Sequence, residues 1–584
     1  MTRRNNAPAV EPADLVWRDG VPESKAFGEV YFSRENGLDE SRSVFIRPNR
    51  LPERFAALAE DASFVIGETG FGTGLNFLAA WQTWRNNSRN NNSRMHFVSV
   101  EPHPLTRNDL QRALAVWPEL SELAEQLLAH YPPLVSGAHR ILLDEGRVRL
   151  TLYFGEVLDA RRELTFKADA WSLASLGATG GTLRGELPPS TAPCPAQSVP
   201  AQPASVTIIG AGVAGCLLAR NLAERGVQVT LIDSADGPAA GASGNLQGAL
   251  YAKLGIEFNA QTQLALSALL FSQRFYGRFQ GDAWHPTGLL QVASEEKERN
   301  RQQRFVQRTR YPHEIVEPVD AATASRLVGI RVEHGGLWFS RCGWLQPSAL
   351  CHTLTRHPRI TTLYSTRVDR LSQSGESWQI VAEQRSIEAD RVVLCGGHQT
   401  PTLIPIAGEH GHFRFKTIRG QVSHLPDNLV NSPSAVVCGL RYINPVCNGL
   451  AVTGATFDLH DDSPDVSLQS HQENVKELNA MVPAIWRRPD EHESHPNTLN
   501  GRVCFRCTTY DYQPVAGELP DIANSSLNNL FLLTGLGSKG LTYAPLLAEY
   551  LADILTDEPA CLPASLVRRV QPGRCFKPAL TSTD

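Results

Sequence analysis

The chain has 584 residues, 42% of them hydrophobic and 20% charged, with 45 glycines and a formal net charge of −5. That length exceeds one ordinary hydrophobic core, so two or more domains are expected, and the composition excludes a wholly disordered, collagen-like or coiled-coil protein. No apolar run approaches the ~18 residues that span a bilayer, and the opening MTRRNNAPAVEPADL lacks the apolar stretch of a signal peptide. Eleven scattered cysteines suggest no disulfide framework, which makes a reducing cytoplasm the expected setting. Charges of both signs are spread evenly, so a nucleic-acid partner would depend on a local basic patch.

Residues 62–77, ASFVIGETGFGTGLNF, predict a buried strand running into Glu68, then a turn through Gly70, Gly72 and Gly74, then a helix. A second strand over His96–Val100 ends at Glu101, placed to accept ribose hydroxyls. By spacing alone this could be any nucleotide fold. The E-x-G-x-G-x-G order without a phosphate-binding Lys leans towards S-adenosylmethionine, with the glycines admitting its methionine and ribose. The Asn-rich stretch Arg85–Arg94 is expected to be an exposed loop.

Residues 188–204, PPSTAPCPAQSVPAQPA, hold six prolines and can continue neither a helix nor a central strand, so they read as an interdomain linker. After them Val206–Ile209 predicts a strand, Gly210, Gly212 and Gly215 a G-x-G-x-x-G turn into a helix, and Asp233 the end of the next strand. That order is the dinucleotide fingerprint: a tight turn, close approach of a pyrophosphate, close helix–strand packing and a carboxylate for the ribose. The small residues Gly241–Tyr251, including Ser243, Gly244 and Asn245, suit backbone wrapped around FAD rather than NAD. Gly396 closes a late strand, and Gly535, Gly537, Ser538, Gly540 and Leu541 open a second helix whose N-terminus can face an anion.

This order of motifs resembles the D-amino-acid oxidase-like FAD oxidoreductases over about residues 205–560, with a signature running from Arg506 through Cys507, Thr508, Thr509, Tyr510, Asp511, Tyr512 and Gln513 to Pro514, followed by Gly517. The resemblance implies that Arg506 anchors the substrate carboxylate, for which a planar guanidinium is suited. Arg441 and Tyr442 are lesser candidates for the same pocket. It further implies hydride transfer from the carbon next to an amine to the flavin, with no dedicated acid or base; His398 and Lys539 read as local hydrogen-bond partners. Cys504 and Cys507 form C-x-x-C without a second pair or a suitable His motif, so no metal site is expected and both read as packing residues.

The two halves together resemble the MnmC family of bifunctional tRNA wobble-uridine modification enzymes. The matching stretches are Glu29–Phe32 with Asn36, Gly37 and Leu38, then Gly70–Phe77, Leu142–Gly146, Gly241–Tyr251, Gly420–His424 and Gly535–Leu541. The implied fold is α/β: an incomplete Rossmann-like methyltransferase domain (1–187), the linker (188–204), and a D-amino-acid-oxidase-like FAD domain (205–584) with an inserted substrate subdomain at roughly 262–335 and 405–500. The implied partner is tRNA, with no membrane. The implied activities are FAD-dependent removal of the carboxymethyl group from 5-carboxymethylaminomethyl-(2-thio)uridine, and methylation of the resulting amine from S-adenosylmethionine. After Lys167–Trp171 the family pattern continues Leu-Asp-Gly-Phe-x-Pro, whereas here Trp171 runs directly into Ser172–Leu183. Loss of that stretch and of the terminal strands predicts weakened S-adenosylmethionine binding and loss of methylation. An alternative function is a FAD-dependent oxidase of free glycine-like amino acids.

Overall fold

The computed structural model describes residues 8–173 and 205–578, apart from 27, 29, 34–35, 89–91, 376, 384, 407–410, 489–494 and 523–526. The linker and the segment 174–187 lie outside the described residues.

The N-terminal half is built on β1 (Ser63–Thr69), α1 (Leu75–Asn87), β2 (Arg94–Glu101), β3 (Gly137–Leu143), β4 (Val148–Phe154) and β5 (Ala170–Leu173). These five strands form one sheet in the order β3-β4-β2-β1-β5, in which only the β3–β4 pair is antiparallel. Helices on both faces bury β1, β2 and β4 almost throughout, around Phe77, Trp81, Trp84 and Phe97. Both faces are covered, as parallel sheets require. Trp171 on β5 lies over Gly67, where a Cβ would sit 2.5 Å from its ring.

From Ser205 the chain lays down β6 (Ser205–Ile209), α2 (Val213–Glu224), β7 (Gln228–Ile232), β8 (Leu289–Val292), β9 (Glu317–Val319), β10 (Gly336–Phe339), β11 (Ile360–Leu363) and β12 (Val392–Leu394). It continues with β13 (Phe415–Pro426), β14 (Val436–Cys438), β15 (Tyr442–Ile443), β16 (Leu450–Gly454), α3 (Leu468–Met481), β17 (Asn500–Thr509), β18 (Val515–Glu518), β19 (Leu530–Thr534) and α4 (Gly540–Leu555). One sheet, β11-β7-β6-β12-β19-β18, is parallel except for its last pair and carries the glycine turns at its strand ends. The other, β9-β10-β8-β14-β15-β16-β13-β17, is mainly antiparallel and reaches past the expected limits at 335 and 500. Strands β13 and β17 pair over ten registers, from Phe415 opposite Thr509 to His424 opposite Asn500, and this long ribbon brings Arg506 to the first sheet.

The two halves meet through buried charge. Arg94 and Arg225 hold Glu558 at 2.7 and 2.9 Å, Arg225 also holds Asp553 at 2.7 Å, and Glu549 accepts from Arg149 at 3.2 Å and Arg225 at 3.0 Å. Arg140 reaches Glu549, Asp553 and the Pro559 carbonyl. These side chains are 0–1% exposed. The stretch 85–94 is therefore not the simple exposed loop its composition predicts. Helix α1 continues to Asn87, Arg85 pairs with Glu122 and Asp144, and Arg94 is drawn inward by Glu558.

Two buried imidazoles, His96 beside Glu558 and His139 bonded to the Val135 carbonyl, are pushed down to about 4, first by burial. A base whose folded pKa is depressed stabilises fully above its unfolded pKa of about 6.5, and that contribution is lost as pH falls towards 4. Stability is therefore expected to drop by several kcal/mol between pH 6.5 and 4, on the order of 3 kcal/mol per imidazole. Urea titrations across that window would read the drop, and His139→Gln should remove about half of it, leaving the share of His96.

Candidate functional site

A cavity of about 640 Å³ runs from Asp233 at one end to Arg506 at the other. It lies outside the C-terminal ends of β6, β7 and β12, where open α/β sheets bind ligands. Gly210, with φ +110, is left-handed, and a Cβ there would meet the Cys395 carbonyl at 2.6 Å. Gly215 does not line the cavity; it seats α2 on the turn, where a Cβ would stand 1.9 Å from the Gly210 carbonyl oxygen. Gly212 lines the cavity and its neighbour Val213 donates its N–H to Ser243 Oγ at 2.9 Å, so the loop 240–245 closes over the start of α2. Asp233 lines the far end and accepts backbone N–H bonds from Ala211 and Ala235.

Asn245, Gly396, Gly535, Gly537, Ser538, Gly540 and Leu541 also line the cavity, and α4 begins there with its free N–H groups. Gly244 does not. Its Cα faces the Arg502 guanidinium and the Ala239 carbonyl, so glycine serves loop packing at that position. Asn245 Oδ1 is buried and has no protein partner. Two helix N-termini, a carboxylate at the ribose end and an orphaned amide oxygen fit FAD. Gly215→Val is expected to yield protein with no bound flavin, read directly from the absorbance of the purified protein.

At the other end Arg506 projects from β17 and donates Nη1–H to the Thr456 carbonyl at 3.2 Å. Gly420 on β13 makes room for it: a Cβ there would lie 2.4 Å from Arg506 Nη2. Tyr251, Cys438, Tyr442 and Phe457 complete this wall, and Lys539 lies just behind it with its ammonium 6.0 Å from the Tyr251 ring centroid. Tyr442 is raised by burial, while Tyr251 is raised by Cys438 and by burial. Lys539 is lowered, first by burial and then by Lys253. Arg441 lines the cavity, but its guanidinium is committed to Asn474, Glu473 and Glu477, which removes it as a carboxylate anchor.

His398 sits at the edge of the Phe505 ring and is lowered by burial. Cys504 and Cys507 are buried and contact the Gly420 carbonyl and the Thr534 hydroxyl respectively, consistent with packing roles. Tyr251, Phe457 and Gly420 were not singled out as site residues by the sequence, because only the tertiary fold brings them to Arg506.

In the N-terminal half Gly70, Gly72 and Gly74 are all left-handed, so the turn after β1 needs glycine at each position. Burial pushes Glu68 up to about 8; it accepts bonds from Ser99 Oγ and Asn76 Nδ2. Glu101 accepts the N–H groups of Gly72 at 2.8 Å and His103 at 3.0 Å, and Tyr31 packs over Gly72. The turn and the carboxylate fit the ribose side of S-adenosylmethionine. Ser172, the penultimate residue of β5, accepts from Asn76 at the edge of this turn.

Among the described residues no helix is long and apolar enough to cross a membrane, and no group of His, Cys, Asp or Glu could hold a metal ion.

Residues 205–554 match the family of FAD dependent oxidoreductases, and residues 118–175 that of S-adenosyl-L-methionine-dependent methyltransferases. A relative from Marinobacter nauticus, named tRNA 5-methylaminomethyl-2-thiouridine biosynthesis bifunctional protein MnmC, is 48% identical over 98% of this chain and 99% of its own length. A relative of the same name from Pseudomonas fluorescens is 36% identical over 97% and 98%. The alignment with the Marinobacter protein spans 630 positions, more than the 584 residues available here, so that relative carries residues this chain lacks. Among solved structures, iminodiacetate oxidase from Chelativorans sp. BNC1 (TM-score 0.51, 22% identity) covers 63% of this chain and 98% of its own. L-proline dehydrogenase from P. horikoshii (TM-score 0.52, 16% identity) covers 64% and 98%. Both likenesses establish the oxidoreductase fold of the C-terminal half.

Proposed function

The chain belongs to the MnmC family of tRNA 5-methylaminomethyl-2-thiouridine biosynthesis bifunctional proteins, and from that premise we propose that it oxidatively removes the carboxymethyl group from 5-carboxymethylaminomethyl-(2-thio)uridine at the tRNA wobble position, in the cytoplasm. The observation that carries the reading is the cleft, a groove suited to FAD that ends at a guanidinium, Arg506, able to grip a glycine-like carboxylate.

Bound in the groove, FAD supplies a two-electron acceptor for the C–H bond next to the substrate amine. Arg506 holds the carboxylate and so fixes which C–H is presented. The single acid among the described lining residues is Asp233, at the far nucleotide end, so no carboxylate near Arg506 stabilises an ammonium. Arg506 and the buried Lys539 instead favour the neutral amine, the form that can release a hydride from its α-carbon. Water then adds to the C=N bond of the oxidised substrate and releases the aminomethyl base and glyoxylate.

Wobble nucleosides from cells lacking the gene should accumulate the carboxymethylaminomethyl form, read by mass spectrometry. The purified protein should convert that tRNA far faster than it oxidises free sarcosine. A preference for sarcosine would return the reading to a free amino-acid oxidase.

Methylation is proposed to be lost. The glycine turn persists, but the chain passes from Trp171 towards the linker without the stretch that lies at the amine side in the family pattern. Purified protein given S-adenosylmethionine and tRNA bearing aminomethyluridine should transfer no methyl group. Turnover comparable to oxidation would overturn this.

A further inference from the structure

The strand that carries Arg506 ends in a turn that oxidation of a small amine does not explain. Tyr510 and Tyr512 leave it 38% and 51% exposed. Each ring has a cation against it: the Arg414 guanidinium carbon is 3.5 Å from the Tyr510 centroid, and the Lys416 ammonium 5.1 Å from that of Tyr512. Tyr512 also has φ +58, a left-handed conformation that a bulky side chain adopts only at a cost glycine would not incur. The turn is held in place, since Asp511 accepts from the Thr509 hydroxyl at 2.7 Å and the Gln513 N–H at 3.1 Å, with Arg574 3.7 Å away. Backbone strain under an exposed aromatic persists where the surroundings enforce it, and such strain clusters at functional sites.

We propose that Tyr510 and Tyr512, with Arg414 and Lys416, form a stacking platform for unpaired anticodon-loop nucleotides flanking the wobble uridine. Tyrosine faces stack on any base, and adjacent cations serve the phosphates between stacked bases. The chain as a whole is acidic, so this paired basic and aromatic surface is a local feature. Tyr510 stands just past the end of β17, four residues on from Arg506, about 13 Å at the rise of a strand and within reach of one loop whose modified base enters the cavity. The inference rests on tRNA being the substrate. An acidic peptide would use the two cations but gain little from two exposed tyrosine rings.

The test uses the full-length flavoprotein and an anticodon stem–loop RNA, with binding read by fluorescence anisotropy at fixed salt. Tyr512→Gly should weaken binding about tenfold or more, while bound FAD stays at the wild-type level and Tm does not fall, because glycine relieves the left-handed backbone. Tyr512→Phe should retain binding. Unchanged affinity in Tyr512→Gly overturns the platform, as does an equal loss on a fully paired RNA duplex, or tighter binding of polyglutamate than of the loop. If the wild-type protein neither binds nor oxidises modified tRNA, the proposed function fails. If it oxidises that tRNA and Tyr512→Gly still binds normally, only the platform fails.

Discussion

Replacing Arg506 with Ala should lower kcat/KM for carboxymethylaminomethyl-uridine tRNA by roughly thirty- to several-thousand-fold while leaving bound FAD intact. Truncating one partner of a buried, hydrogen-bonded charge pair costs about 2–5 kcal/mol, and each ~1.4 kcal/mol is tenfold in rate. Arg506→Lys should recover only part of the loss, because an ammonium keeps the charge but not the planar fork. A second variant reaches the same guanidinium without touching it. Gly420→Ala places a methyl group 2.4 Å from Arg506 Nη2, and the guanidinium must shift to clear it, disturbing its bond to the Thr456 carbonyl. Both variants should therefore raise KM or lower kcat for carboxylate-bearing substrates. An N-alkylamine without a carboxylate should be oxidised no worse than by wild type. If Arg506→Ala oxidised modified tRNA normally, the anchoring role would be wrong.

The nucleotide end of this site was legible in the sequence because its constraints are local. Gly210, Gly212 and Gly215 are fixed by contacts within one strand–turn–helix unit, and Asp233 by the next strand. Arg506 was legible through a contiguous signature. Arg441 was a lesser candidate for the same pocket, and only the structure shows Glu473 and Glu477, on successive turns of α3, taking up its charge. Gly420 could not be assigned because its partner lies 86 residues away across the β13–β17 ribbon. The least legible feature is β2, RMHFVSVE, whose polar residues suggest a half-exposed strand although all eight positions are buried. The carboxylate that makes burial of Arg94 possible comes 464 positions later.

That buried cluster yields the largest expected change in stability. Four guanidinium groups, Arg94, Arg140, Arg149 and Arg225, face three carboxylates, Glu549, Asp553 and Glu558, with His96 held neutral. The C-terminal end of α4, which carries Glu549 and Asp553, adds partial negative charge to this imbalance. Removing Glu558 strands Arg94 in the interior and takes one of three carboxylates from Arg225, and breaking a buried pair in this way costs about 3–5 kcal/mol. Glu558→Ala should therefore shift the denaturant midpoint strongly. Glu558→Met paired with Arg94→Met should recover part of the loss, since removing both partners leaves fewer buried charges unpaired.

The same helix begins at Gly540 on the FAD cavity and is about 24 Å long, so loosening its far end should also weaken flavin retention. This bears on what the N-terminal half is for. A detachable tRNA-docking module could be deleted with little change in bound FAD. Here deletion removes three of the four arginines that neutralise α4 and its neighbour Glu558, so the truncated protein should lose flavin or fail to accumulate. A truncated protein with full flavin and an unshifted Tm would show that the charges re-solvate at no cost, and the N-terminal half would then be dispensable to the oxidoreductase.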